Sequence, residues 1–127
     1  MKTNQNLTIV SILGILAVIL GAFGSHLLKT KLSPELYLAW HTAIEYQFYH
    51  LLALFMAGFL PQSKKWYFNS RSWFLAGIIL FSGSLYAICL SAIFLSHPLQ
   101  AIGILTPVGG LCFILGWINL FWDSRKN

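Results

Sequence analysis

Acid is what this chain has least of. Glu35, Glu45 and Asp123 are the only acidic residues among 127, and charged side chains of both signs make up 9%. A soluble domain averages about 25%. So little charge cannot cover a water-soluble surface. With 57% hydrophobic residues and a mean hydropathy of +0.73, the class is integral membrane protein. Cysteine is scarce too. Cys89 and Cys112 lie in separate apolar runs, form no CxxC pair and no metal-binding spacing, and read as small apolar helix residues. The net charge of +5 is no nucleic-acid footprint, because the bases stand singly or in pairs beside apolar runs, where they suit phospholipid headgroups. Also missing are HExxH, GxSxG, a paired catalytic Asp and any Cys–His constellation. The expectation is therefore no enzyme, no cofactor and no nucleic acid; the predicted partner is the lipid bilayer.

What the chain does have is apolar length. Crossing the hydrocarbon core takes about 20 apolar residues in a helix. Residues 7–28, 73–95 and 99–122 each supply that, without a single Asp, Glu, Lys or Arg. The first run is too long for a secretory h-region of about 7–15 residues and has no A-x-A site, so it is read as uncleaved. A fourth span, 36–60, rests on charge. With four spans, Lys2, Lys64, Lys65, Arg71, Arg125 and Lys126 collect on one side, leaving only Lys29 and Lys31 on the other. The positive-inside rule prefers this to three spans. The predicted fold is all-α: one four-span domain over residues 1–127, an up-down four-helix bundle with both termini cytoplasmic. Ser33-Pro34-Glu35 supplies a cap, a Pro at the first helical position and an acid in the first turn. Ser96-His97-Pro98 is expected to start the fourth helix likewise. Trp40, Trp66, Tyr67, Trp73, Trp117 and Trp122 fall near the span ends, as an interfacial belt would.

The segment "AWHTAIEYQFYH", residues 39–50, puts a carboxylate, two histidines, two tyrosines and a glutamine into the second span. His41, Glu45 and Tyr49 share one face; Tyr46, Gln47 and His50 lie around the other side. Glu45 is about 14 Å along the helix from Leu36, near mid-membrane, where a bare charge costs at least about 2.5–3.5 kcal/mol. His41, one turn away, is its nearest partner. A helix polar on both sides must be enclosed by other helices, a partner subunit or a water-filled cavity. Three readings stay open. The polar groups knit the helices together by hydrogen bonds; or they line a path for protons, ions or a small solute; or His26, His41, Glu45 and His97 gather a metal.

Small residues recur every four positions at Ala17, Gly21 and Ser25, and again at Gly83, Ala87 and Ser91. Such stripes let helices approach closely, within one chain or in a homo-oligomer. "LTPVGG", with Thr106, Pro107, Gly109 and Gly110, is expected to interrupt the fourth helix, since Pro107 cannot donate to the carbonyl of Gly103.

Four segments in order, "LGAFGSHLLK" at 20–29, "WHTAIEYQFYH" at 40–50, "FSGSLYAICL" at 81–90 and "ILTPVGGLCFILGW" at 104–117, resemble the domain-of-unknown-function 423 family of small bacterial inner-membrane proteins, which is related to the transmembrane protein 256 family. The resemblance covers nearly the whole chain. It implies four transmembrane helices and a bacterial inner (plasma) membrane location, and brings no activity with it. The family pattern matches here at Gly21, Gly24, His26, Trp40, Thr42, Ala43, Tyr46, Gln47, His50, Ser82, Gly83, Ser84, Leu85, Tyr86, Thr106, Pro107, Gly109, Gly110, Gly116 and Trp117. In that pattern the Tyr46–Gln47–His50 side is more characteristic than Glu45, which implies hydrogen bonds from this side to Ser82, Ser84 and Tyr86 of the third helix. The candidate buried polar cluster is thus His26, His41, Glu45, Tyr46, Gln47, Tyr49, His50, Ser82, Ser84 and Tyr86. The expected function is a non-enzymatic structural or accessory membrane protein that associates with itself or with a larger membrane complex. The alternative is an oligomeric channel or transporter.

Overall fold

The computed structural model describes residues 3–60, 65 and 69–125; Lys2, Lys64, Trp66, Tyr67 and Lys126 lie outside them. Among the described residues the chain is all helical, in four rods, with no strand. In hydrocarbon a helix satisfies its own backbone, which is why long apolar runs take this form. The first rod is α1 (Thr3–Phe23), continued by a π turn (Gly24–Leu28). The second is α2 (Pro34–Ala57). The third joins α3 (Ser70–Gly77), a π turn (Ile78–Ser82) and α4 (Gly83–Phe94). The fourth is a 3-10 turn (Gln100–Ile104) followed by α5 (Leu105–Ser124). Three stretches are long and apolar enough to cross a membrane: Gln5–Leu28, Ser70–Phe94 and Gln100–Ser124. The polar load of α2 keeps it from qualifying by composition.

The start of α2 is built as its sequence predicts. Ser33 is extended, its Oγ accepts from Leu36 N at 3.4 Å, and Pro34 opens the helix. The exposed Glu35 carboxyl is held below its ordinary value by its own backbone hydrogen bond and then by the Ser33 hydroxyl. The fourth rod departs from expectation twice. Ser96 does not cap it: its φ is +60°, and the rod begins beyond Leu99, whose N–H donates to Ser91 Oγ at 2.9 Å. Nor does Pro107 interrupt a helix. It falls in the first turn of α5, where its missing N–H has no intrahelical acceptor to lose, and the irregularity lies upstream as the 3-10 turn.

The rods pack in chain order, each pair antiparallel. Third and fourth interlock by complementary size. Phe113 fills the space beside Gly77, Phe74 that beside Gly116, and the backbone of Phe81 lies against Gly109. Thr106 faces Ser84 at 2.6 Å at one end, and Ser70 donates to Asp123 Oδ2 at 3.1 Å at the other. Ala53, Leu54, Ala57, Phe74, Ile78 and Phe113 make one buried core; Leu28, Leu32, Trp40 and Cys89 make a second toward the other end. By contrast, Gly21 and Gly83 have nothing within 4 Å of where a Cβ would stand. The four-residue stripes that contain them are not the contacts that hold this chain together, although Ala17 and Ser91 are individually buried.

These spaces order the effect of adding one methyl. At Gly109 it would meet Phe81 backbone, with Cα at 2.7 Å, and backbone cannot swing aside. Gly109→Ala is expected to lower stability by about 1–3 kcal/mol. Gly21→Ala and Gly83→Ala should stay within about 0.5 kcal/mol of wild type or gain slightly from better helix propensity. Denaturant unfolding in mixed micelles gives the ranking, and equal losses at all three sites would contradict this packing.

Candidate functional site

A line of polar side chains runs down the buried face of α2, and each finds its partner on a neighbouring rod. Trp40 Nε1 donates to Leu20 O at 3.0 Å, Gln47 Nε2 to Leu13 O at 2.9 Å, and Asn6 Nδ2 to Leu54 O at 3.0 Å. Each bond lies seven residues from the next on both rods, about 10.5 Å of helix. The acceptors are helix carbonyls with a second lone pair to give. Two glycines make room: a methyl on Gly24 would collide with the Trp40 indole, and one on Gly58 with the Asn6 amide. Asn6 Oδ1 is buried and has no hydrogen bond among the described residues.

The third rod repeats the arrangement toward α2. Ser82 Oγ donates to Ala43 O at 2.7 Å and Cys89 Sγ to Leu36 O at 3.2 Å, again seven residues apart on each side. Tyr86 OH donates to Gln47 Oε1 at 2.8 Å, and its ring meets Trp40 edge-on at 4.9 Å. Gln47 thereby ties three rods with one amide, whose orientation is fixed because Leu13 O can only accept. Ser84 donates to Phe81 O at 2.9 Å, so the Thr106 hydroxyl is the donor in the contact between them.

His50 is 7% exposed. Its Nδ1 lies 2.8 Å from Tyr46 O and its ring stacks on Phe113 at 3.4 Å between centroids. A carbonyl only accepts, so Nδ1 carries the hydrogen. Tyr46 is exposed along one edge, its ring stacked on Phe81 at 4.6 Å. Thr106, Pro107, Gly109 and Gly110 all lie in the first turns of α5, Gly109 buried and Pro107 exposed.

The structure divides the predicted cluster. Gln47, His50, Ser82 and Ser84 are buried, and Tyr86 is bonded to Gln47. His26, Glu45 and Tyr49 are exposed instead, and His41 is half-buried against Tyr37. Burying the Trp40–Gln47–Leu54 line turns the opposite side of α2 outward and takes Glu45 with it. Glu45 makes no hydrogen bond or ion pair among the described residues. His97 is also exposed, and no three His, Cys, Asp or Glu among the described residues gather as metal ligands. Trp40, expected in an interfacial belt, is fully buried. Sequence reasoning missed three participants. Asn6 gave no signal beyond a lone amide before an apolar run. Arg71 counts among the charges gathered on one side by the positive-inside argument and Asp123 only among the scarce acids, yet both are buried. Arg71 donates from Nε to Ala57 O at 3.1 Å and from a terminal nitrogen to Leu60 O at 3.4 Å, closing carbonyls left open at the end of α2.

A family model described as protein of unknown function (DUF423) matches residues 20–110. A UPF0382 membrane protein of Staphylococcus aureus is 42% identical over 112 residues, covering 87% of this chain and 87% of its own. The UPF0382 membrane protein YwdK of Bacillus subtilis is 40% identical, covering 88% and 89%, and one from Haemophilus influenzae is 39% identical over 98% and 96%. No solved structure matches the chain.

The seam separates structural from peripheral residues in a stability measurement. Gln47→Ala, which leaves Tyr86 and Leu13 O without their partner, is expected to cost about 1–2 kcal/mol. Glu45→Ala, outside the seam, should cost under about 0.5 kcal/mol. Unfolding of the purified protein in mixed micelles distinguishes them, and the reverse order would overturn the placement of α2.

Proposed function

The chain belongs to the DUF423 family and is a multi-pass bacterial membrane protein; from its unpartnered Glu45 we propose that it is a non-enzymatic membrane component that works by pairing with a second copy of itself. We read all four rods as spans, up-down, with both termini cytoplasmic. The lengthwise packing of α2 between two apolar rods supports this, as does the bias of Lys and Arg to one side.

One observation carries the pairing. Glu45 stands midway along α2, exposed, with no hydrogen bond or ion pair among the described residues. A carboxyl left against lipid costs at least about 2.5–3.5 kcal/mol. His41 and Glu45 put a nitrogen base and a carboxyl one turn apart on the same outer surface, which makes that surface self-complementary about a two-fold axis. Copies inserted in one orientation carry these groups at matching depths. Leu38, Leu52 and Met56, all exposed on α2, flank the polar pair with apolar surface. The second reading, an oligomeric conduit for protons, ions or a small solute, uses the same residues and draws on the same exposure of Glu45.

Fluorescence energy transfer between labelled copies in proteoliposomes tests both. Wild type is expected to pair, Glu45→Gln to keep most of the affinity, and Glu45→Leu to weaken it about 5- to 30-fold with folding unchanged. Monomer at every protein-to-lipid ratio would sink the pairing. A pH-gradient-driven flux that folded Glu45→Gln protein has lost would replace the structural reading with the conduit.

A further inference from the structure

Beside His50 the surface is not flat. A groove of about 440 Å³ opens between α2 and α5, walled by Tyr46, Phe81, Phe113, Trp117 and Gly110, with the His50 ring at its side. That volume lies within the range of about 300–1,000 Å³ typical of small-molecule sites. Pro107, Leu111 and Ile114 complete the lining, so besides His50 four of the nine residues are aromatic. The His50 side chain is more than nine-tenths buried. Its Nδ1 is committed to Tyr46 O. Its Nε2, an acceptor in the neutral ring, has no hydrogen bond among the described residues and does not belong to the fully enclosed unsatisfied atoms. It therefore reaches space through the groove that the ring lines.

The depth of this position decides what can meet it. His50 lies about 24 Å along α2 from Pro34 in a helix of about 36 Å. Across the groove stand Pro107, Gly110 and Trp117, in the first two-thirds of α5. This is hydrocarbon depth, below headgroups and out of reach of bulk water. An acceptor there without a donor pays part of its desolvation cost and keeps a vacancy for a donor. Phe113 is buried and backs the His50 ring, while Phe81, stacked on Tyr46, and the exposed Trp117 offer aromatic surface beside the aliphatic Leu111 and Ile114.

We propose that this groove binds a membrane-soluble hydroxylated aromatic ring of the hydroquinone class, its hydroxyl donating to His50 Nε2 and its ring held between Phe81 and Trp117. This site is independent of pairing through Glu45, since the groove lies on the α5 side of α2. Only binding is assigned.

The probe is tetramethylhydroquinone, titrated into full-length protein in lipid nanodiscs. The nitrogen resonance of His50 reports the new hydrogen bond, and tryptophan fluorescence gives the affinity. A saturable shift of His50 Nε2 is expected. The dimethyl ether of the same ring, which lacks the donor, and decanol, which lacks the ring, should each bind at least about tenfold more weakly. Gly110→Leu fills the groove from the α5 wall, where the nearest atom to a Cβ is Phe81 Cδ2 at 3.9 Å, so the helix accepts it. It should weaken binding at least about tenfold with His50 untouched. His50→Phe, keeping the ring stack, should erase the preference for hydroquinone over ether. Equal affinity for hydroquinone and ether in wild type, equal affinity for decanol, or unchanged binding in folded Gly110→Leu would each overturn the proposal.

Discussion

One amide holds the first three rods in register. Gln47 donates to a carbonyl of α1 and accepts from Tyr86 of the third rod, so neither neighbour can slide along α2 without stranding a polar group. In water such a group would be rescued by solvent. In hydrocarbon it would not, and the penalty for misregister replaces the hydrophobic drive that lipid removes. Trp40 and Asn6 set the same register seven residues to either side, and Ser82 and Cys89 do so against the third rod. The seven-residue interval matters. Two helices that stay in contact over many turns at a small crossing angle meet again every seven residues, and all of these bonds except Tyr86–Gln47 fall on that repeat.

The fourth rod is held by other means. Its seam with the third is mostly shape, Phe against Gly in alternation, with hydroxyl and carboxylate contacts kept for the two ends. Glycine at 77, 109 and 116 is thus half of a knob-and-hole pair. Four-residue stripes of small residues suit helices that cross steeply and touch briefly. The pairs here run alongside one another, so Gly21 and Gly83 are left facing outward while the seven-residue partners carry the contact.

Much of the architecture was legible. Three apolar runs became rods, and Ser33-Pro34-Glu35 capped α2 as its chemistry dictates. Of the bonds the resemblance implied between the Tyr46–Gln47–His50 side and the third rod, Gln47 meets Tyr86, Ser82 meets the α2 backbone at Ala43, and Ser84 turns instead to Phe81 and Thr106. Periodicity could not supply this, because α2 is polar on both faces, and a 3.6-residue period says which residues share a face without saying which face is inside. Hence Glu45 and Tyr49 joined the expected cluster although they lie outside it. Trp40 misled for a related reason. A tryptophan near a helix end suits the membrane interface, yet its N–H suits a buried carbonyl equally well, and only Gly24 opposite makes the second choice available. Arg71 hid behind a rule about loop charge that counts charges and ignores what caps a helix end.

The rule that explains Gln47 also picks out its exceptions. Trp40, Gln47, Ser82, Tyr86 and Cys89 carry more polarity than a helix pair should hold in hydrocarbon, and each is matched within the chain. A chain built so consistently to pair its buried polar groups does not leave others open without consequence. Asn6 Oδ1 is enclosed without a partner among the described residues, whereas Glu45 on the outer face of α2 and Nε2 of His50 in the groove beside α5 open outward, one facing away from the bundle and one facing a space of molecular size. They differ in kind. A carboxyl on a helix face is approached by another helix, whereas an imidazole nitrogen recessed among aromatic rings is approached by something small and flat. The same physical demand therefore points to two different occupants, a second copy at Glu45 and a ring-bearing donor at His50. A polar α2 is what a membrane protein would need in order to hold both.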